Sequence, residues 1–171
     1  MADIVRRSYK NIIRVTPALD TSEAYGAADV LFISTEIPKA VIGKGGCSKL
    51  VAFFVLNQNL TDVDVDFIFT ENSATFGSIN ETANISDANI EAAKVIGFIH
   101  LDSGVSTTSS IDNSEIKRVV DAGNGDTYSV STPILLQAAA DSTSVYVAGI
   151  ITGGTPTLAA DDIDLIFHIE Y

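Results

Sequence analysis

The chain has 171 residues, 22 of them acidic and 10 basic, for a formal net charge of −12 and a pI near 4.3, which argues against nucleic acid as its main partner. A hydrophobic share of 46% against 19% charged excludes intrinsic disorder and predicts one packed, soluble domain, and the longest apolar run, Leu50 to Leu56, is far short of the roughly 20 residues a membrane-crossing helix needs. The single cysteine, Cys47, excludes an internal disulfide framework and a multi-thiolate metal site.

The residue choice favours strands. Fifty residues are Ile, Val or Thr, whereas Leu occurs only 10 times, and β-branched side chains suit a pleated, half-buried surface. In chain order, the first predicted strand is Val5 to Val15, preceded by an opening without the apolar stretch of a secretory signal, so synthesis in the cytoplasm is expected. Asp29 to Ser34, Lys39 to Ile42 and Lys49 to Leu56 follow as strands, the last two separated by the glycine-rich Gly43-Lys44-Gly45-Gly46. That stretch has its lysine too early for a phosphate-binding loop and runs into a strand rather than a helix, so it predicts a hairpin-type turn.

Asp62 to Phe69 alternates strictly, with Val63, Val65, Phe67 and Phe69 on one face and Asp62, Asp64 and Asp66 on the other. Carboxylates two apart on a strand are roughly 6.5–7 Å apart and do not easily converge on one calcium ion. They predict a solvated face whose charge discourages edge-to-edge pairing. A short helix is expected over Ala88 to Ala93, capped by Ser86 or Asp87, before a strand at Lys94 to Leu101. Ser103 to Ser110 reads as a flexible surface loop. Strands are then predicted at Ile116 to Val120, Thr127 to Ser131 and Ser144 to Thr152. The last strand repeats the alternation, with Ile163, Leu165, Phe167, Ile169 and Tyr171 opposed to Asp162, Asp164, His168 and Glu170. About ten short strands with Gly, Asn and Asp turns predict an all-β, antiparallel β-sandwich of jelly-roll type in a single domain over residues 1–171.

Catalytic signals are weak. His100, beside Asp102, and His168 are the only histidines, and with Cys47 they do not make a zinc ligand set. No Gly-x-Ser-x-Gly elbow is present, so neither an enzyme nor a cofactor is expected. The clearest asymmetry is electrostatic. Arg6, Arg7, Lys10 and Arg14 place four of the ten basic residues in the first 14 positions, a segment of net charge +3 on a remainder of −15. Two readings follow: a first strand that pairs with the protein's own acidic surface, or an arm that docks on an acidic partner.

The opening Asp3-Ile4-Val5-Arg6-Arg7-Ser8-Tyr9, then Thr16-Pro17-Ala18-Leu19-Asp20-Thr21, Ala24-Tyr25 and Asp29-Val30-Leu31, with Val145-Tyr146-Val147-Ala148 and Gly154-Thr155-Pro156-Thr157 late in the chain, resemble small virion proteins of tailed bacteriophages of marine and cyanobacterial type. Phe32-Ile33 departs from the small residue that follows Asp-Val-Leu in that pattern. The resemblance implies a head decoration, or cement, protein on the capsid exterior, binding the major capsid protein, often as a homotrimer, with no nucleic acid or membrane partner and no catalytic residue. The alternative from another class is a carbohydrate- or receptor-binding β-sandwich of a phage tail or surface protein, in which exposed aromatic rings stack on sugars.

Overall fold

Period-two patterning becomes strand wherever one face meets the core. The computed structural model describes residues 9–104, 107–118 and 133–171. Its strands in chain order are β1 (Lys10–Val15), β2 (Val30–Ile37), β3 (Cys47–Asn57), β4 (Asp64–Thr70), β5 (Val95–Leu101), β6 (Thr107–Ile111), β7 (Ser114–Arg118), β8 (Ile134–Gln137), β9 (Val145–Gly153) and β10 (Ile163–Glu170). The single helix among the described residues, α1 (Asp87–Ala93), lies between β4 and β5.

All pairings between these strands are antiparallel. The larger sheet runs β1-β10-β3-β7-β6, with β8 also on β3, and the smaller runs β2-β9-β4-β5. The pairs β1·β10, β2·β9, β3·β8 and β4·β5 nest inside one another, so the first half of the chain is doubled back along the second and rolled into two facing sheets. That nesting is the jelly-roll arrangement. β8 pairs with Cys47–Leu50 of β3 and β7 with Phe54–Asn57, so two short strands share one side of a long one.

The core lies between the sheets. Ile163, Leu165, Phe167 and Ile169 of β10 and Val65, Phe67 and Phe69 of β4 are all buried, as their alternation requires. Phe53 stacks on Phe167 at 5.1 Å within the larger sheet and meets Phe67 of the smaller sheet edge-on at 4.8 Å. Such aromatic pairs add about 0.5–1.5 kcal/mol beyond the area they bury. A smaller cluster forms on the outer side of the smaller sheet, where residues 71–86 fold back and set Phe76 on Val30 and Ala148.

The helix begins where the sequence predicts. Ser86 caps it, its hydroxyl accepting the Asn89 N–H, and Lys94 stops it in the left-handed region at φ 51°. Seven residues are too few for an independent helix. Its C-terminal end is held by Asn72, which donates its main-chain N–H to Ala93 O and its side-chain amide to Ala92 O.

Some predicted features are corrected and one strand was missed. Lys39 to Ile42 is a turn, because Lys39 has φ 54° and the chain there crosses from the smaller to the larger sheet. Ala40 and Val41 are nonetheless buried, with Ser48 Oγ donating to Ala40 O, which is why the segment reads as apolar. Within the predicted loop Ser103 to Ser110, residues 107–110 belong to β6, which forms a hairpin with β7 through Asp112 at φ 53°. Its Ser and Thr side chains lack the hydrophobic alternation that would have revealed it. β8 was not anticipated; four residues are too short a window for periodicity. The predicted strand Thr127 to Ser131, Val119 and Val120, and the first part of Val5 to Val15 lie outside the described residues. Gly43 and Gly45, at φ 75° and 67°, do form a turn, but it joins the two sheets rather than the strands of a hairpin.

Candidate functional site

The basic N-terminal segment enters the larger sheet as its edge strand. Arg6 and Arg7 lie outside the described residues. From Lys10 to Val15 the main chain pairs with β10, with Lys10 opposite Glu170 and Arg14 opposite Ile166. Alternation sends Ile13 into the core and leaves Lys10, Ile12 and Arg14 on the outer face.

That face carries a cross-strand row the sequence reading did not assemble. Arg14 of β1 is opposite Ile166 of β10, Ile166 opposite Phe54 of β3, and Phe54 opposite Arg118 of β7. One register step away, Ile12 stands opposite His168, and His168 opposite Ala52. The His168 ring tilts against Phe54 at 5.0 Å. On the other side, Leu56 is opposite Ile116. An apolar strip of Ile12, Ile166, Phe54, Leu56 and Ile116 therefore crosses four strands, bracketed by Arg14 and Arg118. Ile12 is 49% exposed, although a solvated sheet face would carry polar residues there. Neither arginine makes an ion pair with a described carboxylate. Lys10 and Lys49 also face outward, flanking Glu170 across the register. Four of the ten basic residues of a strongly acidic chain thus collect on one sheet face.

At the β1 end of this face lies an open hollow of about 530 Å³ lined by Tyr9, Lys10, Lys39, Ile42 and Tyr171 among others. Tyr171 donates its hydroxyl to Lys39 O at 2.7 Å, and Asn11 donates its amide to Tyr171 Oη at 3.3 Å. Tyr9 and Ile42 in the lining of the hollow are exposed.

Of this surface the sequence reading picked out Lys10 and Arg14. It missed Arg118, Phe54 and Ile166. A signal for Ile166 was present, since it breaks the polar phase of the last strand, between Asp164 and His168. Arg118 could not be found, because its place beside Phe54 depends on the pairing of β3 with β7.

The predicted row of Asp62, Asp64 and Asp66 is divided by the fold. Asp62 precedes β4 and accepts from Lys117 Nζ at 2.9 Å. Asp64 Oδ1 accepts both the N–H and the hydroxyl of Ser103, at 2.8 and 2.7 Å. Asp66 Oδ1 accepts from Nδ1 of His100, directly opposite on β5, at 2.7 Å. β4 lies between β9 and β5, so the expectation that these carboxylates guard a sheet edge is corrected. His100 takes Asp66 rather than the neighbouring Asp102 as this partner. Among the described residues no group of three or more His, Cys, Asp or Glu is arranged to hold a metal ion.

The fold and this surface define a class: a jelly-roll β-sandwich that presents a cationic, partly apolar sheet face on an acidic body. No protein-family model matches the chain, and no curated protein sequence matches it.

Proposed function

We propose that this protein is a structural virion component that binds the exterior of a capsid lattice through the outer face of its larger sheet, stabilising the head as a decoration protein. The row Arg14–Ile166–Phe54–Arg118 carries this reading. Covering its apolar centre removes exposed hydrophobic surface from water, a gain that scales with area. The flanking guanidiniums can pair bidentately with carboxylates, which favours an acidic protein surface. A net charge of −12 opposes polyphosphate partners and keeps unbound copies apart. The sequence resemblance supplies the partner, the major capsid protein, and a homotrimeric state, in keeping with the closed symmetry most assemblies adopt. Jelly rolls serve many functions, so the surface and the resemblance bear the weight of the argument.

Co-sedimentation with purified capsids of the phage that carries the gene tests the reading. Wild-type protein is expected to saturate capsid sites, and Phe54→Ala combined with Arg14→Ala to bind at least ten-fold more weakly while keeping its far-UV spectrum. Undiminished binding by that variant, or none by wild type, overturns it.

A further inference from the structure

The outer face of the smaller sheet carries a second, chemically different site. An open hollow of about 480 Å³ is lined by Asp64 and Asp66 of β4, Phe98 and His100 of β5 and Thr152 of β9. Aspartate is disfavoured in strands, and here two stand two apart on an interior strand. Solvent-facing Thr or Ser would suit the same pleat better. Local choices that contradict the element they sit in tend to mark function.

Both carboxylates are held by neighbours. Ser103 fixes Asp64 through two hydrogen bonds. Its other oxygen lies over Gly153, where a Cβ would come within 2.5 Å of it, so the glycine leaves the room the carboxylate occupies. The His100 ring turns Nδ1 to the Asp66 carboxylate at 2.7 Å, which fixes the ring and directs Nε2 away from that carboxylate. Beside them Phe98 is 43% exposed, opposite Ile68 across the β4·β5 ladder. An aromatic face next to pre-oriented oxygen acceptors is a surface for a ligand that is apolar on one side and rich in hydroxyl donors at its rim.

We infer that this hollow binds a neutral saccharide, with Phe98 against the C–H face of one pyranose ring, Asp64 and Asp66 accepting from its hydroxyls and His100 Nε2 hydrogen-bonded to another. Two carboxylates against a single imidazole repel phosphorylated or carboxylated sugars. A cationic amine is the other chemistry that carboxylates attract, but one aromatic ring makes no cage around a cation. Thr152 adds a hydroxyl that can both donate and accept, which suits a diol better than an ammonium. The site lies on the opposite sheet from the Arg14–Arg118 row, so a copy docked by the larger sheet would present it to solvent.

An array of neutral oligosaccharides built from glucose, galactose, mannose and N-acetylhexosamines, followed by calorimetric titration of the best hit, tests the inference. Wild type is expected to retain at least one of these glycans. Phe98→Ala and Asp66→Asn are each expected to weaken it ten-fold or more, with unchanged far-UV spectra, since both side chains lie outside the core. Arg14→Ala with Arg118→Ala should leave glycan binding intact, which separates this site from the docking face. Retention of no neutral glycan, or undiminished binding by Phe98→Ala, overturns the inference. So does retention of cationic peptides in place of glycans.

Discussion

Lys117 Nζ lies 2.9 Å from Asp62 Oδ1 and 3.5 Å from Glu115 Oε2, with its own side chain only 2% exposed. Opposite Val55 on the inner face of the larger sheet, it brings a charge to the end of the core. Glu115 Oε2 is buried and accepts no hydrogen bond, so the ammonium is its electrostatic support. Asp62 is 77% exposed and returns to water, so the loss is the stranded Glu115 oxygen, and Lys117→Ala should cost about 1–3 kcal/mol. Lys117→Met combined with Glu115→Gln should recover most of that loss in urea denaturation. If the double variant is as unstable as the single one, the cost is packing rather than charge.

Gly149 of β9 pairs with Phe32 and Phe67 across its two ladders, and a Cβ there would lie 2.5 Å from the Phe32 ring. Gly149→Ala is expected to destabilise by about 1–3 kcal/mol through overpacking, read as a lower denaturation midpoint with unchanged slope.

Phe76 anchors residues 71–86 outside the main core. Phe76→Ala should therefore act locally. Hydrogen exchange should accelerate at the amides of Ala83, bonded to Ala28 O, and Asn84, bonded to Phe76 O, while the β4·β9 ladder stays protected.

Burial raises the pKa of the Tyr25 phenol, which donates to Leu31 O and accepts from the Asp20 N–H. The folded state therefore holds that proton more tightly than the unfolded one. Its contribution is complete below the ordinary tyrosine range and is lost as pH rises past about 10. Tyr25→Phe should flatten the alkaline limb of a stability–pH curve and cost about 1 kcal/mol at neutral pH. Asp20 has the opposite sign. Hydrogen bonds from Asn80 and Ser22 lower its pKa, so stability is lost as pH falls below about 4, and Asp20→Asn should flatten that limb.

On the proposed docking face, Arg14→Glu with Arg118→Glu should slow capsid association and reverse its salt dependence. Phe54→Ala should mainly hasten dissociation, by about 30-fold if it is a central anchor worth about 2 kcal/mol. Surface plasmon resonance on immobilised capsids at two salt concentrations separates the two effects.

The amino-acid sequence by itself determined which strands face the core, because a period of two writes burial directly into residue order. Val65, Phe67 and Phe69 and the run from Ile163 to Ile169 were legible for that reason, as was Ser86 as a cap, whose partner is three residues away. Local turns followed from glycine at positive φ. Tertiary structure decided everything that depends on which strand lies beside which. Register places Arg118 next to Phe54, divides Asp62, Asp64 and Asp66 among Lys117, Ser103 and His100, and puts two carboxylates on an interior strand rather than an edge. Those partners are 34 to 64 residues apart in sequence, and no local pattern encodes them. They meet because the nested jelly-roll pairing buries the apolar faces, and the outward surfaces are composed as a consequence of that burial.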